Sequence, residues 1–369
     1  MRMRKLFLFL CICLLFVGCG KETNKVEHDH SKWEVDKCFT EDALLYKNSF
    51  TRRVEYFDYQ TGHYGPLCGK PNCLHEDSEC MACYLWDAIV QMGRLGDKWY
   101  YVKLEDDGTQ AFCSCDLDGT NEKEIGEFPH RVSYKGYFYE DSCIFLTEDA
   151  VFDEEDGEWL GDISGIYQYH LDTGEAEVLC PEKDIMTTAA YRLYGQYENK
   201  LIYGERMGEG LKLRIMDLKT HEIQTPLEDR YVYDGTVNDG FLVCGVSEGE
   251  GSSLIEYNLE SGEWKEVMGD EKSWAMVCWS SNLKLVTVFN GAMNQENFRY
   301  EIYQYMEDGE CVLVREGDRE TYLEPVAIKD DQIIGRYGDA GDDSLRFELA
   351  VIRKEDFFAG KCNWEVLQY

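Results

Sequence analysis

One short phrase, written several times over, restricts what this chain can become. From Ser253 to Val267 it reads SLIEYNLESGEWKEV: apolar residues alternate through Leu259, Glu260-Ser261-Gly262 interrupts, and alternation resumes at Trp264. Period-two alternation puts successive side chains on opposite faces of a strand, and Gly between two such runs marks a hairpin. The phrase returns as VEYFDYQTGHYGPL from Val54, AFCSCDLDGTNEKEI from Ala111, IYQYHLDTGEAEVL from Ile166, LRIMDLKTHEIQTPL from Leu213 and YEIYQYMEDGECVL from Tyr300. Repetition at this spacing limits the fold to stacked or radially arrayed units.

A second hairpin accompanies each copy. Its turns are expected at Thr40-Glu41, Gly96-Asp97, Lys135-Gly136, Glu198-Asn199, Asn238-Asp239-Gly240, Ser281-Asn282 and Asp330-Asp331. The first unit then opens at Trp33, the second at Ala88, and the third is read as strands at 132–134 and 137–139. Seven units of four short strands, rich in aromatic and β-branched residues, predict an all-β fold: a seven-bladed β-propeller of four-stranded antiparallel blades. Six or eight blades are the alternatives. Radial closure leaves only short, protected edges, which an open array of this size would expose. A parallel β-helix, the runner-up, has shorter repeats without paired hairpins. No linker divides 33–369, so one domain is expected.

Two insertions interrupt the regularity, at 68–87 and, rich in Asp and Glu, at 148–164. In an up-and-down blade the link from the second to the third strand emerges at the same end as the link to the next blade. Both insertions therefore belong to one face, together with Glu105-Asp106-Asp107, 204–210, Glu248-Gly249-Glu250, 290–297 and 338–343. Loops on a rigid scaffold are where binding concentrates. This face is acidic, and the tight Gly and Asn turns lie on the other.

Ahead of the propeller, Arg2, Arg4 and Lys5 precede an apolar run from Leu6 to Val17, then Gly18-Cys19. That is the layout of an export signal, and the run falls short of the ~20 residues that span a bilayer. Leu15-Phe16-Val17-Gly18-Cys19-Gly20 resembles the lipobox of bacterial lipoproteins. The resemblance implies a signal peptide at 1–18 and lipidation of Cys19, with an ordinary signal peptide cut nearby as the alternative. Residues 19–32 are polar and aperiodic and read as a flexible tether, in which His28 and His30 are solvated. The expected location is the extracytoplasmic face of the cell membrane. A net charge of −35 excludes nucleic acid, whose phosphates demand Lys and Arg, and an anionic membrane surface. Attachment then falls to the lipid, and the acidic face should favour cationic partners or divalent ions.

Sixteen cysteines are many for a chain with so large a core. Setting aside Cys11, Cys13 and Cys19 leaves an odd number, so pairing cannot be complete. Cys143, Cys244, Cys278 and Cys311 stand singly inside apolar strands and read as small buried hydrophobes. The dense cluster is Cys68-Gly-Lys-Pro-Asn-Cys73-Leu-His75, followed by Cys80 and Cys83, in a loop with no apolar pattern to fix it. Thiolates and imidazole at these spacings suit a tetrahedral structural Zn²⁺ held by Cys68, Cys73, His75 and Cys80. The alternative is disulfides among Cys68, Cys73, Cys80 and Cys83, favoured by an oxidising space. A closed four-ligand site leaves no position for catalysis.

The cysteine knuckle, the repeats and the lipobox together resemble a family of uncharacterised exported lipoproteins of Gram-positive anaerobes. That resemblance implies location and fold and no reaction. Other motifs are weaker. The Asp116-to-Asn121 segment lacks the ligand spacing of a Ca²⁺ loop and reads as a hairpin turn. Ser114-Cys-Asp116 begins like the Asp-box of sialidase propellers but has Asp118 where Gly is needed, and Trp86-Asp87 occurs once, out of register. His63, His130, His170 and His221 fall in hairpins or loops and are expected to be solvated. No catalytic constellation stands out, so no catalytic residue is assigned. The expected function is a membrane-anchored binding or scaffolding module for a protein, peptide, cation or glycan. The alternative is an exported propeller enzyme, a glycan lyase or hydrolase, whose acid and base are hidden among 72 acidic residues.

Overall fold

The repeated phrase folds because its polar residues close one particular turn. Asn258 Oδ1 accepts from the N–H groups of Glu260 (2.8 Å) and Ser261 (2.9 Å), while Ser261 Oγ accepts from Glu263 N at 3.2 Å. Gly262 N donates to Asn258 O at 2.9 Å from a left-handed φ of 75°. Asp58 and Asp217 make the same paired contacts. An acidic or amide side chain that satisfies two backbone N–H groups, followed by a residue at positive φ, is a strong turn signal. In the Asp217 turn, His221 takes the left-handed position, at φ 59°.

The computed structural model describes residues 32–368 except 35–36, 41, 49–50, 71, 78, 106, 118, 154–157, 186–189, 239, 249–250, 270–276, 281–284, 291–296, 307–309 and 340–345. The fold is a seven-bladed β-propeller of four-stranded antiparallel blades. A short strand, β1 (Lys32–Glu34), precedes the first blade. Blade 1 comprises β2 (Lys37–Phe39), β3 (Ala43–Asn48), β4 (Arg53–Asp58) and β5 (Tyr64–Pro66). Blade 2 comprises β6 (Ile89–Leu95), β7 (Lys98–Leu104), β8 (Gln110–Asp116) and β9 (Lys123–Glu127). Blade 3 comprises β10 (Val132–Tyr139), β11 (Ser142–Phe152), β12 (Trp159–His170) and β13 (Ala176–Ile185). Blades 4 to 7 follow as β14–β17 (191–224), β18–β21 (231–268), β22–β25 (277–318) and β26–β29 (322–366). Among the described residues two α-helices, α1 (Met81–Ala88) and α2 (Lys354–Phe358), interrupt them.

Each blade is built from consecutive strands, so no strand exchange closes the ring. Blades 7 and 1 meet through packing instead: Leu44, Tyr46 and Phe57 lie against Val326, Ile334 and Leu349. Glu324 of blade 7 joins Lys37 (2.7 Å) across this seam and Arg336 (3.4 Å) within its own blade.

Four features differ from expectation. The first hairpin of blade 3 turns at Glu140-Asp141, because β10 runs unbroken through Lys135-Gly136. Gly136 faces Phe145 across the ladder, as Gly93, Gly195 and Gly235 face their own neighbours in the inner strands of blades 2, 4 and 5. Where inner strands converge there is no room for a side chain: a Cβ on Gly195 would stand 2.3 Å from Cβ of Val237. The acidic insertion at 148–164 is largely an extension of β11 and β12, paired from Glu148↔Ser164 to Phe152↔Trp159, with its tip at 154–157 outside the described residues. The cysteine-rich insertion ends in α1. Finally, Trp33 belongs to β1, which pairs antiparallel with β2 and with β10, linking blades 1 and 3 into a nine-stranded sheet across the axis.

The expected signal peptide, the expected lipidation at Cys19 and the expected tether up to residue 31 lie outside the described residues, as do the Ser281-Asn282 turn and parts of the 248–250, 290–297 and 338–343 loops. Cys143 and Cys244 are fully buried and Cys311 half-buried, while the side chain of Cys278 is outside the description.

Candidate functional site

The blade 1–2 connection carries the cysteine knuckle. Its chain is bent by Asn72 and His75, both at left-handed φ (59° and 56°), a region that Asn and His enter more readily than most residues. Cys73 N donates to Lys70 O (3.4 Å), Cys80 N donates to Asp77 O (3.0 Å), and Lys70 Nζ reaches the Glu79 carbonyl. These bends bring Cys68, Cys73, His75 and Cys80 together, with ligand atoms all within 4.8 Å of one another; His75 Nδ1 is 3.2 Å from Cys80 Sγ. Among the described residues this is the group of His, Cys, Asp and Glu gathered closely enough to hold an ion. All the knuckle cysteines are free thiols. Cys83 is outside the four but packs against Cys80, and donates its Sγ–H to the His75 carbonyl at 3.2 Å, supporting the turn that presents the imidazole. Three sulfurs and one imidazole at this spacing fit a tetrahedral metal.

Helix α1 ties the knuckle to the propeller. Leu85 is buried among Leu45 and Val54 of blade 1 and Met92, Trp99 and Tyr101 of blade 2. On its other side Trp86 lies under the Arg52 guanidinium (4.9 Å) and near Lys47 (6.0 Å) of blade 1. The helix fills the loop-face end of the seam between two blades: Leu85, Met81, Tyr84 and Trp86 form an apolar plug at the end of an insertion whose first half is polar.

The blade 2–3 connection is different. Residues 128–131 link the blades directly and leave a cavity of about 450 Å³, within the range of small-molecule sites. Its floor is Phe128, packed edge-on against Phe145 (5.0 Å) and Tyr169 (4.8 Å). Gln110, which accepts from Val132 N at 2.7 Å, holds one wall. On the opposite wall His130 stands between Asp149 (Nδ1, 3.1 Å) and Glu182 (Nε2, 3.2 Å), Arg131 is 3.9 Å from Asp149, and Tyr167 donates to Glu182. His130 was expected to be solvated, but the fold places both of its ring nitrogens against carboxylates. Its partners lie 19 and 52 residues away, and no local signal announces them. Of the other histidines, His63 and His221 are exposed and His170 Nδ1 lies 3.1 Å from Ser142 Oγ.

Above the cavity the extended ribbon of β11 and β12 carries exposed apolar side chains. Phe152, which lines the cavity, is 56% exposed, and its cross-strand partner Trp159 is 45% exposed. Trp159 Nε1 donates to Asp162 at 3.2 Å. Nearer the axis, burial pushes the Glu148 carboxyl above the usual carboxylate range and the charge of Asp162 adds to this, against Arg192 and the Ser133 hydroxyl.

No family model matches the chain and no curated protein matches its sequence. Solved structures match in shape. An oligogalacturonate lyase in complex with manganese superposes with a TM-score of 0.55 at 14% identity, over 88% of this chain and 89% of that one. An oligogalacturonate lyase from Vibrio parahaemolyticus gives 0.52 at 12%, over 90% and 92%. A puromycin-hydrolysing peptidase from Mycobacterium tuberculosis gives 0.51 at 13%, over 95% of this chain and 55% of the peptidase. At these identities the likeness establishes the β-propeller fold.

Proposed function

We propose that this protein is a lipid-anchored binding module on the outer side of the cell membrane, presenting its loop face away from the bilayer. The observation that carries the reading is the direction of β1. Inner strands β2 and β10 run from the loop face to the turn face, and β1 is antiparallel to both, with Lys32 opposite Tyr137 near the turn end of β10. The chain therefore enters on the face of tight turns. A lipid on Cys19 would draw that face toward the membrane, and the twelve residues between Cys19 and β1 reach at most about 40 Å. The blade 2–3 cavity and the aromatic ribbon then point outward, where a partner can approach. The Cys68, Cys73, His75 and Cys80 set holds a structural zinc in this reading and takes no part in binding.

Two measurements test it. Cys19→Ala should leave the membrane fraction or accumulate as precursor, and membrane retention of a processed form would overturn anchoring. In vesicle-bound protein, a spin label at Lys219 on the turn face should be relaxed by lipid-borne probes more strongly than one at Asp107 on the loop face. The reverse order would overturn the orientation.

A second reading, a glycan lyase or hydrolase, is favoured by Glu148, whose raised carboxyl is the kind of group that serves as a general acid. The neighbouring lyase structures agree with it in fold alone. Against it, β1 occupies part of the axial region that such a centre would use. Turnover of a glycan that is abolished by Glu148→Gln would establish the enzyme.

A further inference from the structure

We infer that the cavity between blades 2 and 3 binds an uncharged oligosaccharide, with a sugar face stacked on Phe152 and Trp159. The inference rests on the loop-face reading above and names the ligand chemistry for it. Charge narrows the choice first. Asp149 is engaged by His130 at 3.1 Å and Arg131 at 3.9 Å, and Glu182 by His130 at 3.2 Å and the Tyr167 hydroxyl. Both carboxylates already have partners within the protein, so an incoming cation would have to compete with them. A polyanion would meet Asp149 in the cavity wall, with Glu182 behind His130, on a chain of net charge −35, with Arg131 the exposed cation among the lining residues.

What the cavity offers is mixed and short-range. Each carboxylate oxygen keeps lone pairs beyond those used, and the Arg131 guanidinium keeps donors. A hydroxyl is donor and acceptor at once, and adjacent hydroxyls match a wall where acceptors and donors alternate. Above that wall Phe152 and Trp159 are paired across the ribbon and exposed, flanked by Leu160 at 42%. Exposed apolar surface of this kind on a soluble domain marks an interaction site. An amphipathic ligand with polar edges and apolar C–H faces satisfies both halves, and a pyranose ring has that construction. The site is built in advance: its floor is a packed aromatic cluster and its polar wall is held by the contacts of His130 with Asp149 and Glu182, which limits the ordering penalty on binding.

The test uses the purified lipid-anchored protein in detergent. It is titrated calorimetrically with neutral hexasaccharides of glucose, mannose, xylose and N-acetylglucosamine in α and β linkage, with tetragalacturonate, and with a lysine-rich decapeptide, at low and moderate salt. At least one neutral hexasaccharide should bind with an affinity that salt leaves within twofold. Trp159→Ala should weaken it tenfold or more while leaving the thermal midpoint in place, and Phe152→Ala should weaken it less. Failure of every neutral oligosaccharide, or binding that both variants leave unchanged, overturns the inference. If the decapeptide alone binds, and salt abolishes it, the glycan assignment falls while the loop-face binding reading stands. If tetragalacturonate binds through Arg131, shown by its loss in Arg131→Gln, the uncharged assignment is overturned.

Discussion

The two seams that flank blade 2 make a controlled comparison. Both are links from an outermost strand to the next innermost strand, and both leave on the loop face. At the blade 1–2 seam the link is long: it folds into the Cys68–Cys80 knuckle and then into α1, whose Leu85 fills the groove between blades. At the blade 2–3 seam the link is only residues 128–131; Phe112, Phe128, Phe145 and Tyr169 pack the seam itself, and a cavity remains at its loop-face end beside His130 and Asp149. A propeller seam is a gap that widens outward, and something must occupy it. Where the chain supplies apolar side chains the seam becomes core. Where the link is short and polar, a cavity is left at the mouth of an otherwise packed seam.

The largest effect should come from emptying the knuckle. Protein purified without reductant or chelator should carry about one equivalent of zinc, with Cys68, Cys73 and Cys80 reactive only after chelation. Because α1 docks into the seam, chelation should destabilise by ~3 kcal/mol or more, the range of losing one well-buried leucine. The cavity at the neighbouring seam should keep its ligand. Absence of metal with thiol pairs released by reductant would replace zinc with disulfides and leave α1 held by packing alone.

Gly174 offers an intermediate test of the second seam. It lies in the outer turn of blade 3 at φ 73°, and a Cβ there would stand 1.8 Å from the Ile125 carbonyl oxygen of blade 2. Gly174→Ala should cost about 2–3 kcal/mol by forcing the blades apart. Gly262→Ala, in the same turn of blade 5 at φ 75° with its nearest neighbour 3.5 Å away, should lose only the conformational part, about 1 kcal/mol. Chemical denaturation of both variants measures the difference. Equal losses would mean that blade 3 yields freely at this contact.

Glu148 predicts the smallest effect. Its carboxyl is raised in the fold by burial and by Asp162, so the folded chain holds its proton to higher pH than the unfolded one. The favourable contribution is complete below the unfolded value, near 4.3, and is lost as pH rises through the folded value. Glu148→Gln should remove that part of the slope and stabilise the protein slightly at neutral pH. An unchanged pH profile of the thermal midpoint would show that the carboxyl is free to ionise.

Much of the fold could be read from spacing because each blade is a local object. The Asn258 turn and its copies are closed by side chains two and three residues from the backbone they bind, so their signal is compact and repeats. The misreadings share one cause. Lys135-Gly136 has the composition of a turn, but Gly136 is paired on both sides, with Phe145 in its own blade and with Trp33 of β1. The 148–164 segment has the composition of a loop, but its alternation continues two strands outward. In α1 the apolar run Met81-Ala82-Cys83-Tyr84-Leu85-Trp86 is short and follows a polar, cysteine-bearing stretch, so its helical burial does not show at the scale of the insertion.

The candidate sites divide along the same line. The knuckle was visible because its cysteines and histidine fall within thirteen residues, and short-range ligand spacing survives in sequence. The His130 cluster was invisible, since Asp149 and Glu182 reach it from two different strands of the next blade. Sequence alone determined the repeat, the turn chemistry, the blade architecture and the residues able to hold a metal, all of which depend on neighbours a few positions apart. Only the tertiary structure decided which seam is plugged at its loop-face end and which keeps a cavity there, and on which face the chain enters. Those depend on how rigid blades meet around an axis, where groups far apart in the chain come within hydrogen-bonding distance.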